Sequence, residues 1–481
     1  MAEVRRRRLV GGWFEVWRGL ALALVFVVVA VEPAFAASVR IDKPRRISLA
    51  SPFSGACAQG DPNFTTGVAV ETSVAVNPRD PRRILVSWIQ DGHASDLVMA
   101  SRDGGRSFSR IFVPGLSACT GGSPQIVSDP TVAFSADGRV AYFSGAPFNV
   151  LSTNPFTPAV GMAASRSFDG GFSWSTPLMV QPVTNDFWDK PELSVDPRRP
   201  RVGYYAFDLR LAPDYTSGYS LLSSTTNRGR TWSAPRKLYD PHTSDSWPAT
   251  STILVNRDGS LLDVFVLATQ TGAGPAQELA IRSDDGGHTW GSPVVIGRWS
   301  GQPVNDPVSQ NILATIDQLP SQTISPNGDV YVSWLNPGAS NASSRIAVAR
   351  SSDGGRHWIR HSFGVLGQAA MPSIAVAGDG TVGVLYYSIA PSSQAGNWPA
   401  RAALQTSRDR ARHWSRHPVS RPFNLLTADG ENYRGCCFVG DYIGLTRMPH
   451  GFAGAFSMAK PIARNAIDVY FIRATTSRGG G

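Results

Sequence analysis

One eight-residue pattern, Ser/Thr-x-Asp-x-Gly-x-x-aromatic, returns six times along the 481-residue chain and limits its fold more than any other feature. The copies run Ser101–Phe108, Ser167–Trp174, Thr225–Trp232, Ser283–Trp290, Ser351–Trp358 and Ser407–Trp414. Their acidic positions are Asp103, Asp169, Asn227, Asp285, Asp353 and Asp409, the third being an amide and the sixth lying in a copy without glycine. Successive copies are 66, 58, 58, 68 and 56 residues apart. The residue types fit a tight turn. A short carboxylate accepts backbone N–H groups of its own turn, glycine permits positive φ, and the aromatic ring anchors the turn by packing. A regular period of this length marks a chain built of stacked units.

Between the turns lies a second repeat. Short alternating runs such as Ser73–Val76, Thr131–Phe134, Glu192–Val195, Thr252–Val255, Ser321–Ile324, Ser373–Val376 and Tyr442–Leu445 mostly precede Asn-Pro, Asp-Gly, Asp-Pro or Asn-Gly. A β-branched and aromatic run follows, as in Ile84–Ile89 or Val382–Tyr387. This is the pattern of hairpins. A third strand entering each turn and a fourth leaving it make four strands per unit of about 60 residues, the blade of a β-propeller. There are seven hairpins and six turns. The seventh unit has three strands, and Val39–Leu49 is expected to supply its outer strand, so that the ring closes between the chain ends and leaves no free edge. The expected fold is therefore all-β, a single seven-bladed propeller of four-stranded antiparallel blades over residues 37–481.

Composition agrees and removes competing classes. Charged residues are 17% of the chain, against about 25% in average globular proteins, while there are 47 Gly, 35 Pro and 13 Trp. That mixture excludes coiled coils, helical bundles and charge-rich disordered chains. Arg5–Arg8 and Arg18 precede the apolar run Leu20–Val31, which ends in Pro33-Ala34-Phe35-Ala36-Ala37. This reads as a signal peptide over residues 1–36, too short in its apolar part for a stable membrane span. The expectation is an exported protein, secreted or periplasmic, and monomeric. Removing the leader takes five arginines and three glutamates, and the formal charge falls from +9 to +7. No basic stripe with interleaved aromatics exists, so nucleic acid is excluded as a partner.

The six turns resemble the Asp-box (BNR) repeats of the sialidase superfamily, and the resemblance covers nearly all of the chain after the leader. It implies a propeller, either seven-bladed as counted or the six-bladed sialidase form. It does not fix activity, because one fold hosts many functions. In such propellers the turns lie opposite the ligand face, so the six acidic turn residues are expected to be structural. Sialidase chemistry would require three arginines on a substrate carboxylate, a tyrosine nucleophile paired with glutamate and an aspartate acid/base. The family's Phe/Tyr-Arg-Ile-Pro motif is absent; the nearest stretch is Pro44–Ser48. Under the resemblance Tyr433 or Tyr442 with Glu431 would be the pair, Asp129 the acid/base, and Arg210, Arg401 and Arg434 the candidate arginines.

The residues themselves point to a polar ligand face. The position two before each inner run is Glu71, Asp129, Lys190, Thr250, Leu319, Met371 and Gly440, flanked by Asp189, Glu192, Asp317, Gln318, Asp441 and Tyr442. Residues of separate blades thus converge on the channel mouth and lean acidic. Clustered carboxylates suit sugar hydroxyls; no cofactor is required, and Ca²⁺ is the ion such a mouth would suit. His93 is a weaker candidate for metal binding or acid/base work on the same face. Gly-x-Ser-x-Gly, phosphate-binding loops and His-Glu-x-x-His are missing. The chain is read first as a binder of a glycan or another extracellular ligand, second as a sialidase-type glycoside hydrolase, third as a protein-binding scaffold. Four cysteines, Cys57, Cys119, Cys436 and Cys437, are expected in disulfides. Pairing Cys57 and Cys119 with the vicinal two would staple the ring closure. Cys57–Cys119 with a vicinal bridge is the alternative.

Overall fold

The computed structural model describes residues 38–54, 57, 65–149, 160–180, 186–270, 276–299, 304–315, 319–337, 344–392, 394–428, 437–460 and 466–477. The leader and most of the loop Gly145–Val160 lie outside them. Seven antiparallel sheets follow in chain order and form a seven-bladed propeller. The six-bladed alternative is thereby excluded. Blade 1 consists of Ala69–Val76, Ile84–Gln90, Ser95–Ser101 and Ser109–Ile111. Blade 2 is Ile126–Phe134, Ala141–Phe148, Ala163–Ser167 and Leu178–Met179, and blade 3 is Phe187–Val195, Gly203–Arg210, Gly218–Thr225 and Arg236–Tyr239. Blade 4 comprises Ser246–Val255, Leu261–Thr269, Ala276–Ser283 and Val294–Trp299; blade 5, Ser321–Ile324, Val330–Pro337, Ser344–Ser351 and Ile359–Gly364. Blade 6 is Gln368–Val376, Val382–Ile389, Pro399–Ser407 and Ser415–Pro418, with Phe423–Asn424 added on its third strand.

Blade 7 draws on both ends of the described chain. Gly444–Met448, Gly451–Ala459 and Ile467–Thr476 pair in order, and Val39–Ile41 completes the sheet along Ile467–Thr476. Arg45–Arg46 continues the same edge opposite Phe471 and Tyr470. Ile47 is buried there, and the Ser48 hydroxyl donates to the buried Asp468 carboxylate at 2.7 Å. The last strand is therefore an interior strand.

Apolar side chains fill the wedges between adjacent sheets. Leu85 and Val98 of blade 1 meet Val132, Phe143 and Trp174 of blade 2, while Tyr142 and Met162 of blade 2 meet Tyr205 and Leu221 of blade 3. The recurring turns lock these wedges. In Ser167–Trp174, Asp169 accepts the Ser167 and Ser173 hydroxyls at 2.7 Å each and the backbone N–H groups of Phe172 and Ser173 at 2.9 and 3.0 Å. Burial opposes its charge, but these bonds hold its pKa down at about 2. Trp174 donates to the Gly171 carbonyl at 3.1 Å and packs on Phe143. Gly171 has φ +94°, and a Cβ there would lie 2.3 Å from Leu85 of the preceding blade. Its glycine is required twice, for conformation and for approach. Gly171→Ala is expected to lower stability by about 2–3 kcal/mol, read as a shift in the denaturant midpoint at unchanged slope.

The inner strands carry the feature that makes the site. Their ladders skip two residues between Val70 and Ser73, Ser128 and Thr131, Asp189 and Glu192, Ala249 and Thr252, and Ala370 and Ser373. The first skipped residue is left-handed each time: Glu71, Asp129, Lys190, Thr250 and Met371, with φ of 60°, 56°, 47°, 61° and 52°. Gly440, with φ 106°, holds the corresponding place in blade 7. Each such non-glycine conformation costs on the order of 1–3 kcal/mol. Bulges re-aim side chains, and here they do so at one equivalent point in five blades.

Candidate functional site: a lysine within a ring of carboxyls

The inner strands enclose a cavity of about 200 Å³. Lys190, Thr250, Leu319 and Met371, four of the seven positions picked out before the inner runs, line it, together with Thr131, Glu192, Asp441 and Tyr442. In its wall the Lys190 ammonium lies 2.9 Å from an Asp129 carboxylate oxygen and 3.5 Å from the centroid of the Tyr442 ring. The Tyr442 hydroxyl donates to the same Asp129 oxygen at 3.3 Å. Glu71 accepts the Asp441 backbone N–H at 3.1 Å, and Thr131 donates to Glu192 at 3.5 Å. Blades 1, 2, 3 and 7 thus each contribute a functional group.

Burial and charge act against each other on these groups. Burial alone would depress Lys190, but Asp129, Glu71, Asp441 and Asp189 override it and raise its pKa, so the ammonium is permanent. Burial works against the Asp129 carboxylate as well, yet Lys190 holds it below the ordinary aspartate value. For Asp189, burial and then the Asp129 charge outweigh Lys190 and Arg210 and push it up. Burial likewise raises Glu192, to about 7. Tyr442 is driven well above its ordinary value by burial and the surrounding carboxylates, so its phenol stays protonated. The cavity wall therefore combines Lys190, whose charge is fixed by Asp129 behind it, with a carboxyl, Glu192, that exchanges its proton near neutrality.

The remaining sequence candidates are placed as follows. Arg210 lies over the Trp247 ring at 4.2 Å and is felt by Asp189, but it does not line the cavity. Arg401 sits in the third strand of blade 6 opposite Ser388, also away from the lining. His93, with φ 76°, is near enough to Asp129 for its charge to act there. Glu431, Tyr433, Arg434, Asp317 and Gln318 lie outside the described residues. Among the described residues no group of three or more His, Cys, Asp or Glu is arranged to hold a metal ion.

Buried carboxyls inside the strands escape a reading of the sequence, two of them next to the site. Asp96, in the third strand of blade 1, is wholly buried, and both its oxygens lack a hydrogen-bond partner among the described residues. Burial, then Asp129 and Glu71, raise its pKa strongly. Asp208 lies opposite Asp189 in blade 3 and accepts the Thr250 backbone N–H. The available signal was a carboxylate inside an otherwise apolar strand, where charged residues are rare.

The favoured disulfide pairing is corrected. Cys57 bonds Cys119, with Cα atoms 4.9 Å apart, and Cys437 is also in a disulfide; Cys436 lies outside the described residues. The path of the preceding segment explains the choice. The Arg110 side chain donates to the Ala50 carbonyl at 2.7 Å, and Phe53 packs on Phe112 at 6.0 Å, so the segment leading to Cys57 runs along blade 1, not across to blade 7.

Among the described residues no helix is long and apolar enough to cross a membrane. No protein-family model and no curated protein sequence matches the chain. Solved propellers do match in shape. An ulvan lyase bound to a -[GlcA(1-4)Rha3S]- unit superposes with a TM-score of 0.51 at 10% identity, over 86% of this chain and 97% of that one. A Hadza microbial sialidase gives 0.47 at 13% identity over 83% and 74%, and a protein of unknown function from Dyadobacter fermentans 0.47 at 14% over 92% and 100%. At such identities the likeness is one of fold.

Proposed function

We propose that this chain is an exported glycan-binding propeller that holds one sugar ring over its channel. The observation that carries the reading is the cavity itself, where an ammonium, carboxyls and hydroxyls from separate blades converge. A sugar hydroxyl both donates and accepts, and this mixed lining offers both partners. A cavity of about 200 Å³ is small beside the 300–1,000 Å³ typical of drug-sized ligands, which suits a single ring. A Cys57–Cys119 disulfide supports an oxidising destination. The test is saturation-transfer NMR with a panel of monosaccharides. Binding that weakens about tenfold in Glu192→Ala is expected; no saturation transfer from any sugar would remove the proposal.

The contrast between Asp129, held ionised, and Glu192, protonated near neutrality, favours a second reading, hydrolysis of the bound glycan. Glycosidic cleavage uses such a divided pair of carboxyls. Release of 4-nitrophenol from aryl glycosides, falling about 100-fold in Glu192→Gln, supports it. Absence of turnover across the panel sinks it.

A further inference from the structure

The charge of the site carries the glycan reading one step further, to the class of sugar, and rests on that reading. The Lys190 ammonium is already engaged, at 2.9 Å by Asp129 and on its flank by the Tyr442 ring. An acidic sugar's carboxylate would compete with Asp129 for that one positive charge, weakening the pairing of a buried carboxylate. It would also face Glu192 and Asp441, which line the same cavity. Among the described residues no arginine and no second lysine lines the cavity. An uncharged sugar meets none of these penalties. Its hydroxyls take the Lys190 N–H bonds that Asp129 leaves over, and they donate to Glu192. The Lys190 residue is 5% exposed and its nitrogen is itself buried, without a hydrogen-bond acceptor in line with it among the described residues, although Asp129 is at ion-pair distance. A hydroxyl oxygen in the cavity would supply that acceptor.

We propose that the cavity accepts an uncharged sugar ring and rejects the same ring bearing a carboxylate. The test uses matched pairs that differ in charge at one carbon, galactose against galacturonic acid and glucose against glucuronic acid. Each is titrated into the full exported protein at pH 8 and low salt by calorimetry. The uncharged member of at least one pair is expected to bind about tenfold or more tighter than its acid. The ratio between the members is then expected to fall about fivefold in Glu192→Gln and in Asp441→Asn, whatever the absolute affinities. Equal or tighter binding of the acid, or a ratio untouched by both substitutions, overturns this inference and leaves glycan binding standing. Binding of no member of either pair overturns both, and circular dichroism of each variant separates lost folding from lost recognition.

Discussion

Lys190→Met is expected to destabilise the propeller by about 3–5 kcal/mol at pH 8, the loss typical when one partner of a buried ion pair is removed. The substitution keeps most of the side-chain volume and deletes the charge alone. Asp129 then stands buried with the Tyr442 hydroxyl and the Asp189 carboxyl as its neighbours, beside Glu71, Glu192 and Asp441. The pH dependence separates this cause from lost packing. In the native protein the raised Lys190 gives stability that is complete below the ordinary lysine pKa and fades only as pH climbs through the folded value. Asp129, held below its ordinary value, adds stability present above the unfolded aspartate pKa and lost as pH falls through the folded one. Without Lys190, burial is left to act on Asp129 and drives it upward. The penalty of the variant should therefore be greatest at pH 8 and shrink toward pH 4.5, where the carboxyls take up protons. Glu192, raised to about 7, already makes the native protein less stable as pH rises from about 4.3 to 7. Urea midpoints of both proteins at pH 8, 6 and 4.5 check the prediction, and a penalty independent of pH would show that the charge was not the cause.

Removing Ser38–Leu49 is expected to have the next largest effect, about 4 kcal/mol or more, with association of the product. The deletion strips the paired edge from Ile467–Thr476, a ten-residue strand whose interior is buried. It takes away the Ser48 hydroxyl and the Arg46 guanidinium from Asp468, which keeps Lys460 at 2.9 Å. It also uncovers the pocket filled by Ile47. Light scattering should find a larger mass for the deleted protein than for the intact chain, and a peptide spanning Ser38–Leu49 added in trans should reverse part of the effect. A monomer with an unchanged unfolding midpoint would mean that closure of blade 7 contributes little.

The blades were legible because their signals are local. Asp169 and the hydroxyls and N–H groups it binds lie within a few residues of each other, so a short pattern contains the whole turn. The third repeat shows the tolerance of that rule, since the Asn227 amide accepts the Thr231 N–H at 3.0 Å and donates to its hydroxyl at 2.8 Å. The inner strands were read as starting at Ser73, Thr131 and Glu192, whereas their ladders begin at Ala69, Ile126 and Phe187. Asp129-Pro130 and Lys190-Pro191 look like loop sequence, and only the sheet shows that the strand continues through a bulge. The site was less legible because its contacts are remote. Tyr442 and Asp129 are 313 residues apart, and nothing near either announces the other. Asp96 and Asp208 were passed over because each sits in a run that otherwise reads as ordinary strand. The disulfide depended on which side of blade 1 the chain takes before Cys57, a matter of long-range packing.

The left-handed bulges have an evolutionary consequence. Glu71, Asp129, Lys190, Thr250 and Met371 share a backbone conformation while their side chains range from carboxylate to ammonium, hydroxyl and thioether, so the sheet requires the bend and leaves the side chain open. The propeller thus works as a dial with one interchangeable setting in each of five blades. Single codon changes at those settings could retune what the channel holds while the apolar wedges and the recurring turns stay as they are.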